Sequence, residues 1–379
     1  MLIKVFSDPC FLPSNMNPDP ILIPFWGDRF NKSLYPSGTS FTYDAHNTYR
    51  EIGSSLFEMT SLEEADIALM PMNWRTVRGG SWRSKPDKNA IDLASQFAKK
   101  VHQAGKPLIV FFAGDCSDEQ IPIDNALVFR MSVYRSKTRS TLPVPPAFIG
   151  DQIQQQFQGE LPLRHKQTQP VVGYCGFARS ASLKQVARTA LYHTTMLAKQ
   201  RRLGVSPNKG QILRSRAIHR LRQSPYVQTN FIVRDHSFFD LKNNPTLARQ
   251  NAAEYFQNIL DSDYVLCCRG SANYSIRLFE VLSSGRIPVF INTDCVLPWD
   301  ASIDWKKYCV WVEENELHLI GEKVMEFHQR LSPGDFVELQ HQCRKLWREW
   351  LSSEGFYTHF HQYVRQYLTQ PQRAVPFDS

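Results

Sequence analysis

Within residues 263–291, DYVLCCRGSANYSIRLFEVLSSGRIPVFI, two guanidiniums and a carboxylate fall close together: Arg269, Arg277 and Glu280. Arginine forks match phosphate oxygens in planar, paired fashion, and a carboxylate can accept both hydroxyls of a ribose. Gly270 and Ser271 are small enough to let a ligand approach the backbone. Ser275 opens an expected helix, whose free N–H groups and positive dipole end suit an anion. Together these residue types fit a sugar-bearing diphosphate. Arg277 and Glu280 lie three residues apart on about the same helix face, a spacing that a solvated surface ion pair also produces.

Those side chains need a strand and a helix to hold them. Asp263–Cys268 has the continuous apolar character of a buried strand. Ser275–Ser284 has helical spacing, with Ile276, Phe279 and Leu282 on one side and Gly285 as its stop. The loop 269–274 thus leads from a strand end to a helix start. The same alternation runs along the chain. Strands are expected at Leu2–Phe6, Asp66–Met72, Pro107–Phe112, Asn125–Ser132, from Val171, and at Phe231–Val233, Ile287–Ile291 and Tyr308–Val312. Helices are expected at Asp87–Ala104, from Ser182 to about Arg202, and around Ala248–Leu260; after Glu313 the pattern is mostly helical. Alternating strands and helices predict an α/β protein with two Rossmann-like lobes, each built on a parallel sheet. The polar, glutamine-rich stretch 151–170 is the expected connection. It divides the chain into a first lobe at 1–160, a second at 161–340 and a helical segment at 341–379. Ligands of such sheets sit at the carboxyl ends of the strands, here in the cleft between lobes.

The 379 residues are enough for two domains at roughly 100–200 residues each. A formal net charge of +8 favours anionic partners, among them nucleotides, acidic glycans, nucleic acid and membrane surfaces, without choosing between them. No window approaches the roughly 18 apolar residues of a membrane span, and the opening MLIKVFSDPC reads as a strand and not as a signal peptide. Eight cysteines occur without CxxC spacing, and Cys267–Cys268 alternate across a strand, so reduced thiols fit better than a metal site. Asp261-Ser262-Asp263 resembles an acidic metal motif but precedes its strand, which points to turn chemistry. We expect no metal.

The roughly fifty residues from Asp263 to Glu314 resemble the C-terminal half of exostosin-like glycosyltransferases, glycosyltransferase family 47. The resemblance rests on Arg269-Gly270, Arg277-Leu278-Phe279-Glu280, Gly285-Arg286-Ile287-Pro288-Val289, Val296-Leu297-Pro298-Trp299 and Ile303-Asp304-Trp305, in order and with matching gaps. AEYFQNILDSDYVLC upstream, and more loosely LEEADIALMPM and KPLIVFFAGD in the first half, look similar too. The resemblance implies a two-lobed GT-B fold with a nucleotide-sugar donor, commonly a UDP-sugar. It also implies inverting transfer of one sugar to a hydroxyl of a glycan or lipid-linked glycan. It assigns Arg269, Gly270, Ser271, Ser275, Arg277 and Glu280 to the donor, without a required cofactor or divalent ion.

An inverting transfer is one displacement. It needs a base within about 3 Å of the acceptor hydroxyl, directly or through one water, and preorganised donors for the departing diphosphate. Asp115, ending PLIVFFAGD, is the first choice of base, although a carboxylate there also serves as a turn or helix cap. Asp118 and Glu119 share its loop, and His46 and His236 are lesser candidates. Gly176, in the glycine turn Gly173–Gly176, and nearby Arg179 are further candidates for the nucleotide, while packing explains such a turn equally well. The basic stretch 197–223, with Arg214, Arg216, Arg220 and Arg222, reads as a solvated helix face or as a contact for an anionic acceptor or membrane surface. Leu346, Trp347, Trp350 and Leu351 fit packing back onto the first lobe. Two other readings remain open: a catalytically silent subunit supporting a partner glycosyltransferase, and a nucleic-acid binder, for which no binding module is found. A cytoplasmic setting, with possible peripheral membrane contact, is expected.

Overall fold

The computed structural model describes residues 2–34, 43–80, 84–138, 140–178, 209–235 and 244–370, with positions 187, 191 and 194. Its first sheet comprises β1 (Ile3–Phe6), β2 (Phe57–Met59), β3 (Ile67–Leu69), β4 (Leu108–Phe112) and β5 (Ala126–Arg130), in the order β2-β1-β3-β4-β5. The second comprises β6 (Val171–Phe177), β7 (Gln228–Arg234), β8 (Tyr264–Cys267), β9 (Ile287–Asn292) and β10 (Val310–Glu313), in the order β10-β9-β8-β6-β7. All pairings within both sheets are parallel. Read from its other edge, the second sheet repeats the first, 2-1-3-4-5, a doubly wound order whose ligand crevice lies where the chain switches direction. Two such lobes around an interlobe cleft make the fold GT-B-like.

The central strands follow from composition. Every residue of β4 and of β8 is buried, as expected of parallel strands covered on both faces. The helix Lys88–Gln103 starts where Asp87 accepts from Ala90 N at 3.1 Å, and it buries Ala90, Ala94, Phe97 and Val101 on one stripe. Gly105 ends it at φ +67°. β2 has no counterpart in the sequence reading: three residues at a sheet edge are too few to show a period. The expected helix from Ser182 to Arg202 lies almost entirely outside the described residues.

The connection is itself partly helical, at Gln152–Phe157, and is then pinned to the second lobe. Arg164 Nε donates to buried Asp263 at 2.5 Å, and Arg286, 1% exposed, donates to Pro162 O at 2.6 Å and Leu260 O at 2.9 Å. Asp263 also accepts from Val171 N at 2.8 Å, at the strand ends remote from the cleft, so the Asp261–Asp263 motif is structural.

The C-terminal helix Ser353–Thr369 returns to the first lobe. Phe360 packs on Phe111 and Phe129 with ring centroids 5.3 and 5.1 Å away, and Tyr357 lies 4.1 Å from Tyr49. Among the described residues no helix is long and apolar enough to cross a membrane. All eight cysteines are free.

Truncating Phe360, which is fully buried, opens a void under the first sheet. Phe360→Ala should cost about 3–5 kcal/mol, read as a lower urea midpoint with unchanged slope. A loss below about 1 kcal/mol would show that the returning helix is not part of the first lobe's core.

Candidate active site

The helix Ile276–Ser283 begins behind the end of β8. Ser275 precedes it in extended conformation, and its side chain makes no capping bond, so it leaves the helix's first N–H groups to other partners. One turn in, Arg277 lies across the switch between β6 and β8. Its guanidinium donates to Cys175 O at 2.7 Å and Leu266 O at 3.4 Å, one carbonyl from each strand. It lies over the Tyr174 ring at 4.4 Å and the Tyr255 ring at 5.2 Å. Arg277 Nε also donates to Tyr255 Oη at 3.1 Å, and Tyr255 donates in turn to Glu280 Oε2. Burial opposes the charge on Arg277, but Tyr255 and Tyr174 outweigh it and raise its pKa. Burial, reinforced by Glu280, pushes the Tyr255 phenol well above its usual range, so it remains a donor. The three bonds leave one hydrogen on each terminal nitrogen of Arg277.

Arg277 and Glu280 are therefore joined through a phenol and are not a solvated ion pair. Tyr255 was missed by sequence reasoning. The sequence shows only its helix: it lies in AEYFQNIL, within Pro245–Leu260, which packs beside β6, and nothing local marks which side chains it meets. Two glycines allow this packing. A Cβ at Gly173 would come within 2.1 Å of Ser262 Oγ, and one at Gly176 within 3.0 Å of the Arg277 terminal nitrogen, at φ +143°. Gly173 is thus a packing glycine, whereas Gly176 borders the candidate site. Arg179 and His236 lie outside the described residues.

Arg269 turns elsewhere. It is 2% exposed and donates to Tyr134 Oη at 3.0 Å, Asn273 Oδ1 at 3.0 Å and Ser271 O at 2.9 Å; its Nε has no partner among the described residues. Tyr134 belongs to the first lobe, so Arg269 fastens the lobes together and is not paired with Arg277. Asn273 reinforces the seam, receiving Thr293 Oγ1 at 2.7 Å and giving Nδ2 to Val133 O at 3.0 Å. Gly270 is open, with nothing within 4 Å of an added Cβ, and Ser271 is exposed.

Asp115 follows β4 and is half-buried at the same seam. It makes no hydrogen bond among the described residues. Burial raises its pKa against the pull of Arg75 and Arg269, the second of these from the opposite lobe. Asp118 is raised too, again chiefly by burial. Glu119 is committed to Arg78, through bonds of 2.5 and 2.8 Å. His46 is buried against Ser353 Oγ at 2.7 Å, and burial lowers its pKa to about 3, so it is a neutral packing residue.

Beside the seam, a pocket of about 840 Å³ opens at the carboxyl ends of β9 and β10. Its far wall is the helix Lys209–Gln223, whose Gly210 abuts the carbonyls of Arg269 and Gly270. This helix sorts the basic stretch. Arg214 donates to Phe177 O and Arg269 O, and Arg222 lies over Phe231, while Arg216 and Arg220 face the pocket.

Fold and site geometry define a two-lobed α/β protein with an arginine–tyrosine–glutamate constellation at the switch of its second sheet. Residues 194–327 match the Exostosin GT47 domain model. The chain is 36% identical over 80 residues to a probable glucuronosyltransferase of Oryza sativa subsp. japonica, covering 21% of this chain and 18% of that protein. It is 35% identical over 83 residues to probable glucuronosyltransferase 47 A of Physcomitrium patens, covering 21% and 18%. It is 31% identical over 101 residues to Exostosin-1 of Drosophila melanogaster, covering 26% and 13%. The matches thus span less than a fifth of each relative's length. Among solved structures, Os79 from O. sativa in complex with UDP aligns over 97% of this chain and 73% of that chain, at 10% identity. The TM-score of that alignment is 0.24. The C-terminal half is exostosin-like, as its motifs indicate.

Removing the Asn273 side chain takes one acceptor from Arg269, the acceptor of buried Thr293 Oγ1 and one donor each from Val133 O and Asp294 O. Asn273→Ala should destabilise by at least about 2 kcal/mol, the usual cost of unpaired buried polar groups, measured by chemical denaturation. A near-neutral result would mean that the lobes are joined elsewhere.

Proposed function

We propose that the protein is an inverting glycosyltransferase that moves a sugar from a nucleotide sugar, a UDP-sugar in our reading, to a hydroxyl of a glycan or lipid-linked glycan. The observation that carries this reading is the Arg277–Tyr255–Glu280 constellation at the switch between β6 and β8. It lies within the exostosin-like region, at the strand ends where doubly wound sheets take ligands.

The remaining hydrogens of Arg277 and the helix start at Ser275 would receive the diphosphate, with Gly176 and Gly270 leaving room for it. Glu280, steadied by the Tyr255 phenol, would accept the ribose hydroxyls. Arg269 would act from behind the loop, holding Ser271 through its carbonyl. In the displacement, the acceptor oxygen bonds to the anomeric carbon while its proton passes to Asp115. The bond from that carbon to the diphosphate breaks, and its electron pair leaves with UDP. The configuration inverts, so an α-linked D-sugar donor gives a β product. The fixed cation and helix dipole meet the leaving charge, a role that in our reading calls for no divalent ion. We place the reaction in the cytoplasm, with peripheral membrane contact and a partner glycosyltransferase as options for a lipid-linked acceptor.

Isothermal titration with UDP tests the donor site. UDP should bind, and Arg277→Ala or Glu280→Ala should each weaken it at least tenfold, equal to about 1.4 kcal/mol. Tyr255→Phe should weaken it severalfold with the fold intact. If UDP does not bind and no UDP-sugar is turned over, the reading fails.

The base assignment has its own signature. Asp115→Asn should retain UDP binding while turnover drops by about 10²–10⁴. Because the base works deprotonated and burial raises its pKa, kcat/KM should fall as pH drops through a value above the ordinary carboxylate 3.8. A flat profile down to pH 4 would exclude Asp115.

A further inference from the structure

The 840 Å³ pocket is separate from the Arg277 constellation and has a marked division of charge. Its size falls in the range of about 300–1,000 Å³ typical of small-ligand sites. The helix wall comes from KGQILRSRAIHRLRQ, residues 209–223, which contain five Lys or Arg and no acid. Like charges four apart destabilise a helix by a few tenths of a kcal/mol, so Arg216 and Arg220 on one exposed face are a standing cost. Neither has an ion pair among the described residues. Lys137, from the first lobe, lies 4.8 Å from the Tyr134 ring and also has no ion pair among them.

The opposite floor is acidic but hydrogen-bonded. Asp294, at φ +63°, accepts Ser136 N at 3.2 Å and Ser136 Oγ at 2.5 Å. Glu313 accepts Asn292 Nδ2 at 2.7 Å and Trp311 Nε1 at 2.7 Å. Glu314 is neutralised by Lys209 at 2.5 Å. Asp294 and Glu313 thus remain fixed acceptors for hydroxyl donors, while Arg216, Arg220 and Lys137 form no ion pair among the described residues. Leu213 and Leu317 supply an apolar side.

A ligand matching both walls has several hydroxyls and at least one oxyanion. The pocket is linked to the candidate base loop through its lining residues: the charge of Lys137 acts on Asp118, and Tyr134 is bonded to Arg269, which acts on Asp115. We infer that this pocket is the acceptor subsite, and that it selects a sugar carrying an oxyanion, a carboxylate or a phosphate. The inference rests on the glycosyltransferase reading for the word acceptor; selection of a sugar oxyanion stands without it.

Titration of the full chain with four probes tests this: tetragalacturonate, its methyl ester, maltotetraose 1-phosphate and maltotetraose. At least one anionic probe should bind ten times or more tighter than its neutral counterpart, and which one does so distinguishes carboxylate from phosphate. Arg216→Ala with Arg220→Ala should remove that preference; both side chains are exposed, so folding is retained, and circular dichroism checks it. UDP affinity should not change. Equal binding of charged and neutral probes would overturn the inference, as would an anionic preference that survives the double variant. A parallel loss of UDP binding would assign the pocket to the nucleotide and overturn the acceptor role. If wild-type protein ignores UDP yet still discriminates the anionic sugar, the glycosyltransferase reading fails and the sugar-oxyanion pocket stands.

Discussion

A half-buried guanidinium held between two strand ends is the constraint on which the second lobe depends. Arg277 takes carbonyls from β6 and β8, where the sheet's connections part in opposite directions and leave a crevice. A cation placed there costs several kcal/mol of desolvation unless donors and partners are well matched. Its surroundings meet that requirement. Two tyrosine rings face it, one phenol bridges it to Glu280, and Gly176, lacking a Cβ, leaves room for its terminal nitrogen. Gly173 lets the helix Pro245–Leu260 sit close enough for Tyr255 to arrive. Removing the partners would leave an uncompensated charge, so the same atoms that stabilise the lobe also fix the direction in which Arg277 points.

The lobes are coupled through a different arginine. Arg269 and Asn273 bind the segment after β5, and the backbone continues the contact, with Arg135 N donating to Asp294 O at 2.8 Å and Val296 N to Val133 O at 3.3 Å. This seam sets Asp115 and Asp118 within the field of a second-lobe cation. The pocket borders the same seam, through Tyr134, Thr293 and Asp294. The returning helix Ser353–Thr369 secures the arrangement from behind by joining the first lobe's core.

Much of the fold was legible because parallel strands write themselves as unbroken apolar runs. LIVFF and YVLC admit few other readings, and Gly105 and Gly285 mark helix ends by the left-handed turn they permit. β2 was invisible because three edge residues carry no period. The helix face with Arg277 and Glu280 was legible from spacing, but the Tyr255 bridge was not: its partners lie on another helix, and contact across elements leaves no local trace. Arg269 and Arg277 look alike in sequence, yet one fastens the lobes and the other spans the switch. The arginine cluster could have been divided in advance, since Arg216 and Arg220 share a face at four-residue spacing while Arg214 and Arg222 are out of phase with them.

A crystal structure of the chain with UDP is the most direct measurement. The account predicts diphosphate oxygens within hydrogen-bond distance of the Arg277 terminal nitrogens and the helix start after Ser275, with ribose hydroxyls on Glu280. UDP density seated instead against Arg216 and Arg220, or distant from the crevice between β6 and β8, would contradict it.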